Sequence, residues 1–251
     1  MSAERLRAIT EAVRDHGRSS VVELAELTGA SEMTIRRDLE VLAEQGVLER
    51  YRGGARSLLL RGEEPPFALR AQEGLEVKRR IAAEVASLIA DGESVVLDSG
   101  TTCLEVARAL AHRRVTVMPL SLHAANALAD APHVTLLLPG GQPRRGELAL
   151  TGPLTEASLA ALRFDTAVVG CCGLTAEDGL TAYDLADAAV KRAAIASSRR
   201  VVVAAEAAKL SRTALAQVAP AAALHAVVTD RTAPTDAVDA LAAAGVTVRK
   251  A

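Results

Sequence analysis

The chain has 251 residues, half of them hydrophobic, with 29 Lys and Arg against 31 Asp and Glu. Such a length calls for one large or two modest domains. The near-zero net charge excludes a uniformly basic nucleic-acid coat and an acidic disordered tail, and 2% aromatics without Trp leave a core of Ala, Val, Leu and Ile.

Taken in chain order, Leu6, Ile9 and Val13 recur at helical spacing up to Gly17. Ser19-Ser20-Val21 reads as a short extended link, and Leu24 and Leu27 define one face of a second helix. Gly29 allows a tight turn, and Ser31 is a suitable N-cap for a third helix with Ile35, Leu39 and Leu42 as its apolar stripe. Gly46 is a C-cap, and Val47 to Arg52 reads as a strand turning at Gly53-Gly54. The order is helix, helix-turn-helix, β-wing, over residues 1–56.

Residues 57–76, with Gly62, Pro65, Pro66 and Gly74, read as a linker; a short ordered piece around Phe67 is compatible with it, but no helix is assigned. From 77 to 251 the pattern alternates. Helices are expected from near Lys78, Thr102, Ala124, Leu154, Leu185 and Thr235. Strands are expected at Ser94–Asp98, Val115–Met118, Val134–Leu138, Thr166–Gly170, Val201–Ala205, Ala226–Thr229 and Val246–Val248. Unbroken apolar strands of this kind are covered on both faces, so the fold class is α/β: a winged helix-turn-helix domain joined to a Rossmann-like, mostly parallel domain.

The third helix offers Ser31, Glu32, Thr34, Arg36, Arg37 and Asp38 to solvent, and the wing adds Arg50, Arg52, Arg56 and Arg61. Arginine forks two donors onto guanine or phosphate, and Ser31 and Thr34 stand where bases or phosphates approach a helix start. Gly53-Gly54 allows close approach to a phosphate. Residues 1–56 hold nine positive and ten negative side chains, so this reading needs the acids to lie mostly off the third helix and wing. The competing reading is a solvated face with ion pairs such as Arg36 to Glu40.

In the second half, Asp98-Ser99-Gly100-Thr101-Thr102 lies between a strand and a helix. Gly100 permits the turn, the helix N-terminus offers free N–H groups, and three hydroxyls add donors, which together make an anion cradle. An ordinary capping loop is the alternative. Ser121, Gly140-Gly141, Gly170 to Gly173 and Gly179-Leu180-Thr181 fall in loops at strand C-termini, where open α/β sheets bind ligands. Asp184 and Lys191 are two helical turns apart and can share a face.

Ser31-Glu32-Met33-Thr34-Ile35-Arg36-Arg37-Asp38-Leu39, Gly46-Val47-Leu48 and Arg52-Gly53-Gly54-Ala55 resemble the DNA-binding signature of the DeoR family of bacterial regulators, and the resemblance runs to about Asp230. It implies a winged helix-turn-helix plus a sugar-phosphate-sensing domain related to ribose-5-phosphate isomerase. Double-stranded DNA, a phosphorylated sugar and a homodimer or homotetramer are the implied partners; no cofactor, metal or catalytic residue is. On this resemblance the effector residues are Asp98, Ser99, Gly100, Thr101, Thr102, Ser121, Gly140, Gly141, Gly173, Thr181, Asp184, Lys191 and Lys209, with Asp184 accepting from sugar hydroxyls and both lysines meeting phosphate or hydroxyls.

The chain departs from the family at Pro119-Leu120-Ser121-Leu122, at Ala186 and Ala189 where acidic residues are common, and at Glu206-Ala207-Ala208-Lys209. The implied function is an effector-controlled repressor of carbohydrate genes. The alternative is an aldose–ketose isomerase with an added DNA-binding domain, using Asp98 and Asp184, but the thinned acidic positions favour binding over turnover. No apolar run nears the roughly 18 residues of a membrane span and no secretory signal is visible. Cys103 and the adjacent Cys171-Cys172, the latter read as buried filler, make neither a disulfide framework nor a metal site, so a reduced cytoplasm is expected.

Overall fold

The computed structural model describes residues 3–44, 46–58 and 65–251, so Arg61 and Gly62 lie outside the described residues. Chain contacts divide it into two compact units, Met1–Glu73 and Gly74–Ala251.

The first unit contains α1 (Ala3–His16), β1 (Arg18–Ser20), α2 (Val21–Thr28), α3 (Glu32–Glu44), β2 (Leu48–Tyr51), β3 (Gly54–Ser57) and α4 (Phe67–Arg70). Leu6, Ile9 and Val13 of α1 pack with Val21, Leu24, Ile35, Leu39 and Leu42 into one core. Leu27 is exposed; Val21 and Leu24 form the buried face of α2 instead. The link at Ser19-Ser20 is itself a strand. It pairs with β3, which pairs with β2, so the wing is a three-stranded antiparallel sheet. Ser20 then caps α2 in a reciprocal box with Glu23. Residues 65–73 are more structured than a linker: α4 buries Phe67 and Leu69, and Leu69 joins the core of this unit.

The second unit contains α5 (Leu75–Ser87), β4 (Ser94–Leu97), α6 (Thr101–Leu110), β5 (Val115–Pro119), α7 (Leu122–Leu128), β6 (Val134–Leu136), β7 (Gln142–Pro143), β8 (Leu150–Thr151), α8 (Pro153–Ala160), β9 (Phe164–Val169), β10 (Gly173–Thr175), β11 (Gly179–Ala182), α9 (Leu185–Ala196), β12 (Ser198–Ala204), β13 (Ala216–Ala219), β14 (Ala226–Thr229), α10 (Thr235–Ala243) and β15 (Thr247–Lys250). Seven strands form one parallel sheet in the order β15-β14-β12-β9-β4-β5-β6.

Side chains of a strand alternate between faces, and the core divides accordingly. Val95, Leu97, Val168 and Val202 meet α5, α6 and α7, whereas Val96, Ala167, Val169 and Val203 meet α8, α9 and α10. The chain winds outward from β4 in one direction, then returns beside it with β9. The switch point therefore lies between β4 and β9, where such sheets leave a crevice at the strand C-termini. Beside this sheet, β10, β11 and β13 make a small antiparallel sheet where loops were expected, so Gly173 and Thr181 are strand residues. Among the described residues, no helix is long and apolar enough to cross a membrane.

Candidate functional site

In the first unit, the Ser31 hydroxyl accepts the Thr34 N–H at 3.3 Å and bonds the Thr34 hydroxyl at 2.9 Å, which fixes the start of α3. Asp38 is not on the solvent face. It is 1% exposed, and its Oδ2 accepts from Arg5 Nε at 2.6 Å, so this carboxylate ties α3 to α1.

The acids are not segregated from the arginines either. Arg36 pairs with Glu32 at 2.7 Å rather than with Glu40, Arg50 pairs with Glu40 at 2.7 Å, and Arg56 pairs with Glu49 at 2.6 Å. All are exposed pairs worth about 0–1 kcal/mol, so phosphate can replace the carboxylate at little cost. Arg37 and Arg52 make no ion pair among the described residues and are exposed. The two wing glycines differ. Gly53 turns at φ +97 with open space beside it, but a Cβ on Gly54 would lie 2.3 Å from the Ser19 carbonyl oxygen. Gly54 is thus required by the packing of β1 on β3, not by a phosphate.

In the second unit, β4 ends at the switch point and delivers Asp98, 2% exposed. Asp98 Oδ2 accepts the Gly170 N–H from the end of β9 at 2.9 Å and also takes the Lys191 ammonium. Lys191 Nζ lies 3.2 Å from Asp187 as well. The partner of Lys191 on its own helix is therefore Asp187, four residues earlier, and not Asp184. Burial, and the charge of Asp187, push the Asp98 carboxyl up; Lys191 opposes this. The two carboxylates hold Lys191 protonated against burial and raise its pKa. One cation between two buried anions has no charge left over for a phosphate.

Next to this triad, Gly100 at φ +100 opens α6 without a side-chain cap, and Ser99, Thr101 and Thr102 are buried around it. The free amides and partial positive charge of this helix start are the anion-attracting feature of the edge. Asp184 caps α9 by accepting the Asp187 N–H at 2.8 Å, and its other oxygen lies 3.7 Å from Arg144. Lys209 stands in the short 3-10 turn after β12, half-buried. Burial and the nearby Arg212 push it down to about 8.

Other expected effector residues have internal work. Ser121 caps α7 from a buried position. The Thr181 hydroxyl donates to Gly173 C=O and accepts the Ala214 N–H, and a Cβ on Gly173 would lie 2.2 Å from the Arg212 carbonyl oxygen. Gly140 C=O accepts from Thr155, and a Cβ on Gly141 would strike the same hydroxyl at 2.0 Å. Ser121, Gly141, Gly173 and Thr181 shape the edge through these contacts, whereas Gly140 is exposed, with open space beside its Cα. A cavity of about 430 Å³ opens instead between α6 and α7, around Arg108, His123 and Asn126, and none of the expected effector residues lines it. Cys103 is buried, whereas Cys171 and Cys172 are only partly buried against the core rather than buried filler; desolvation still pushes Cys171 far up, a poor thiolate.

Sequence reasoning passed over Lys78, 2% exposed and 3.6 Å from Glu206. Its signal was available: Lys78, Ile81, Ala82 and Val85 share one helical face, so the lysine sits on the buried side of α5. Arg144 carried no periodic signal, because it stands in a hairpin turn.

Both units match known family models. Residues 5–59 match the DeoR-like helix-turn-helix domain, and residues 73–231 match the DeoR C terminal sensor domain. The chain is 34% identical to the HTH-type transcriptional regulator GlpR of Haloferax volcanii over 99% of this chain and 97% of that protein. It is 32% identical to the glycerol-3-phosphate regulon repressor of Escherichia coli K12, over 95% of this chain and 94% of the repressor. Both bear the names of transcriptional regulators, not enzymes. Ribose 5-phosphate isomerase A from Methanocaldococcus jannaschii overlaps 52% of each chain at 17% identity with a TM-score of 0.39, too distant to bear on activity.

Proposed function

The chain belongs to the DeoR family, and from that premise we propose that it is a DNA-binding transcriptional repressor of carbohydrate genes, released from its operator by a phosphorylated sugar. The observation that carries the DNA half is the pair of exposed arginines that make no ion pair among the described residues, Arg37 on α3 and Arg52 in the wing, beside the Ser31–Thr34 helix start. Helix α3 enters the major groove, Arg36 and Arg37 reach base edges or phosphate, and the wing arginines hold the backbone. On this reading the near-neutral charge of the unit keeps non-specific affinity low, since phosphate contacts supply most of that term.

For the effector half, the uncapped start of α6 at the β4–β9 switch point supports binding of a phosphate group, with Lys209 at the same edge. The name of the Escherichia coli relative, which refers to a glycerol-3-phosphate regulon, supports a phosphorylated ligand. Binding releases DNA only to the degree that the sugar phosphate prefers the DNA-incompetent state. One small winged helix reads few base pairs, so a homodimer or homotetramer is the working form. The ligand is an effector; the reading requires no cofactor.

The test is a gel shift of the full-length protein on duplex DNA that it selects from a random pool, repeated with a panel of triose, pentose and hexose phosphates. Selection of a discrete duplex that one of these sugars displaces supports the proposal. Retention of no duplex, or displacement by none of the panel, refutes it.

A further inference from the structure

Arg144 lies in the turn that joins β7 to β8. Its own N–H donates to Ala149 C=O, and its C=O accepts the Leu148 N–H, both at 2.8 Å. The turn is docked on the corner between β5 and α7: the Leu122 N–H donates to Leu148 C=O at 3.0 Å, and the Leu150 N–H to Leu120 C=O at 2.8 Å. That corner is the C-terminal end of β5, the neighbour of β4, so the hairpin stands at the same edge as the Asp98 loop. Leu148, at φ +51, is the one non-glycine residue with positive φ among the described residues. A side chain held there is strained, and the bonds of Leu148 to Arg144 within the turn and to Leu122 on α7 hold it so.

The side chain of Arg144 is incompletely used. Its guanidinium lies 3.7 Å from Asp184 Oδ2, within ion-pair range but beyond a hydrogen bond. Its Nε–H is out of reach of solvent and donates to nothing among the described residues. Both side chains remain about one-third exposed, so a ligand can reach them. Lys191, by contrast, is enclosed by Asp98 and Asp187.

We infer that Arg144 is a further side chain that meets the effector's phosphate, beside the start of α6, and that Asp184 is its counter-ion in the empty site rather than a ligand for sugar hydroxyls. This rests on the reading that a phosphorylated sugar binds at this edge. When the phosphate arrives, the planar guanidinium leaves Asp184 and turns its fork of N–H donors, Nε–H included, onto two phosphate oxygens. Asp184 stays behind as the cap of α9. No covalent bond forms or breaks.

The full-length protein is titrated calorimetrically with inorganic phosphate and with the triose, pentose or hexose phosphate that raises its melting temperature most. Arg144→Gln is expected to weaken the sugar phosphate roughly tenfold or more, with Arg144→Lys in between, because a point charge lacks the fork. Asp184→Asn keeps the helix cap, since Asn caps as well as Asp; it removes a negative charge beside the incoming one, so binding tightens several-fold. Arg144→Gln binding as well as wild type overturns the assignment of Arg144 alone. Weaker binding by Asp184→Asn, as loss of a hydroxyl ligand requires, overturns the counter-ion role. A wild-type protein that takes none of the probes overturns the sugar-phosphate reading, and this inference with it. Circular dichroism of each variant checks that the fold is kept.

Discussion

Arg5, in the first turn of α1, and Asp38, midway along α3, meet through a bond of 2.6 Å from Nε to Oδ2, with the carboxylate fully enclosed. The helix that presents Ser31, Thr34 and Arg37 is thereby fixed in rotation about its axis by a contact that never touches DNA. Truncating Arg5 leaves a buried carboxylate without its partner. Arg5→Ala should cost roughly 2–3 kcal/mol. Thermal melting followed by circular dichroism reads this cost, and an unchanged transition contradicts the structural role given to Asp38.

Individual arginines of the DNA face should separate by their partners. Arg37→Ala and Arg52→Ala each remove a cation that makes no ion pair among the described residues, and each should reduce the salt slope of DNA binding by about 1. Arg56→Ala breaks an exposed pair with Glu49 and should change the slope less. Fluorescence anisotropy against salt concentration checks this; equal losses from all three would count against the ion-pair map.

Gly54→Ala tests the wing. The new methyl group meets the Ser19 carbonyl at 2.3 Å and the Tyr51 hydroxyl at 2.7 Å. The half-exposed Tyr51 ring can swing aside, but the Ser19 carbonyl cannot yield without spreading β1 from β3, so overpacking should cost roughly 1–3 kcal/mol. DNA affinity should fall while sugar-phosphate binding stays as in wild type. Gly53→Ala meets open space but is strained by φ +97, and should leave the β1–β3 pairing intact, as amide hydrogen exchange at Ser19 and Ser20 would report.

Lys191 gives a pH signature. Its folded pKa is raised above the ordinary 10.5, so its contribution to stability is full below about 10.5 and is lost as pH climbs beyond that value. Lys191→Met leaves Asp98 and Asp187 buried together and should cost roughly 3–5 kcal/mol at neutral pH. Adding Asp98→Asn should recover part of the loss. Denaturant midpoints between pH 8 and pH 11 should fall for wild type at the alkaline end; in the double variant the part of that fall due to Lys191 should be missing.

Much of this arrangement was readable from residue order. The spacing of Leu6, Ile9, Val13, Leu24, Ile35, Leu39 and Leu42 specified three helices, because a 3.6-residue period leaves few alternatives. Runs such as Val95-Val96-Leu97 specified strands covered on both faces. What failed was long-range pairing. Asp38 looks like a surface residue until Arg5, thirty-three positions earlier, is brought to it. Lys191 looks like a phosphate ligand until β4 brings Asp98 to it. The small sheet of β10, β11 and β13 is hidden in the sequence because its glycines read equally well as loop residues. Arg144 has no local pattern at all, since its position depends on how one hairpin docks on the β5–α7 corner.

The most direct measurement is the affinity of the full-length protein for its selected operator duplex at two salt concentrations, with and without the sugar phosphate that stabilises it most. The account requires affinity that falls steeply with salt, at about −0.9 per phosphate neutralised, and that falls again on adding the sugar phosphate. Salt-insensitive binding, or an operator complex that no phosphorylated sugar weakens, would contradict it.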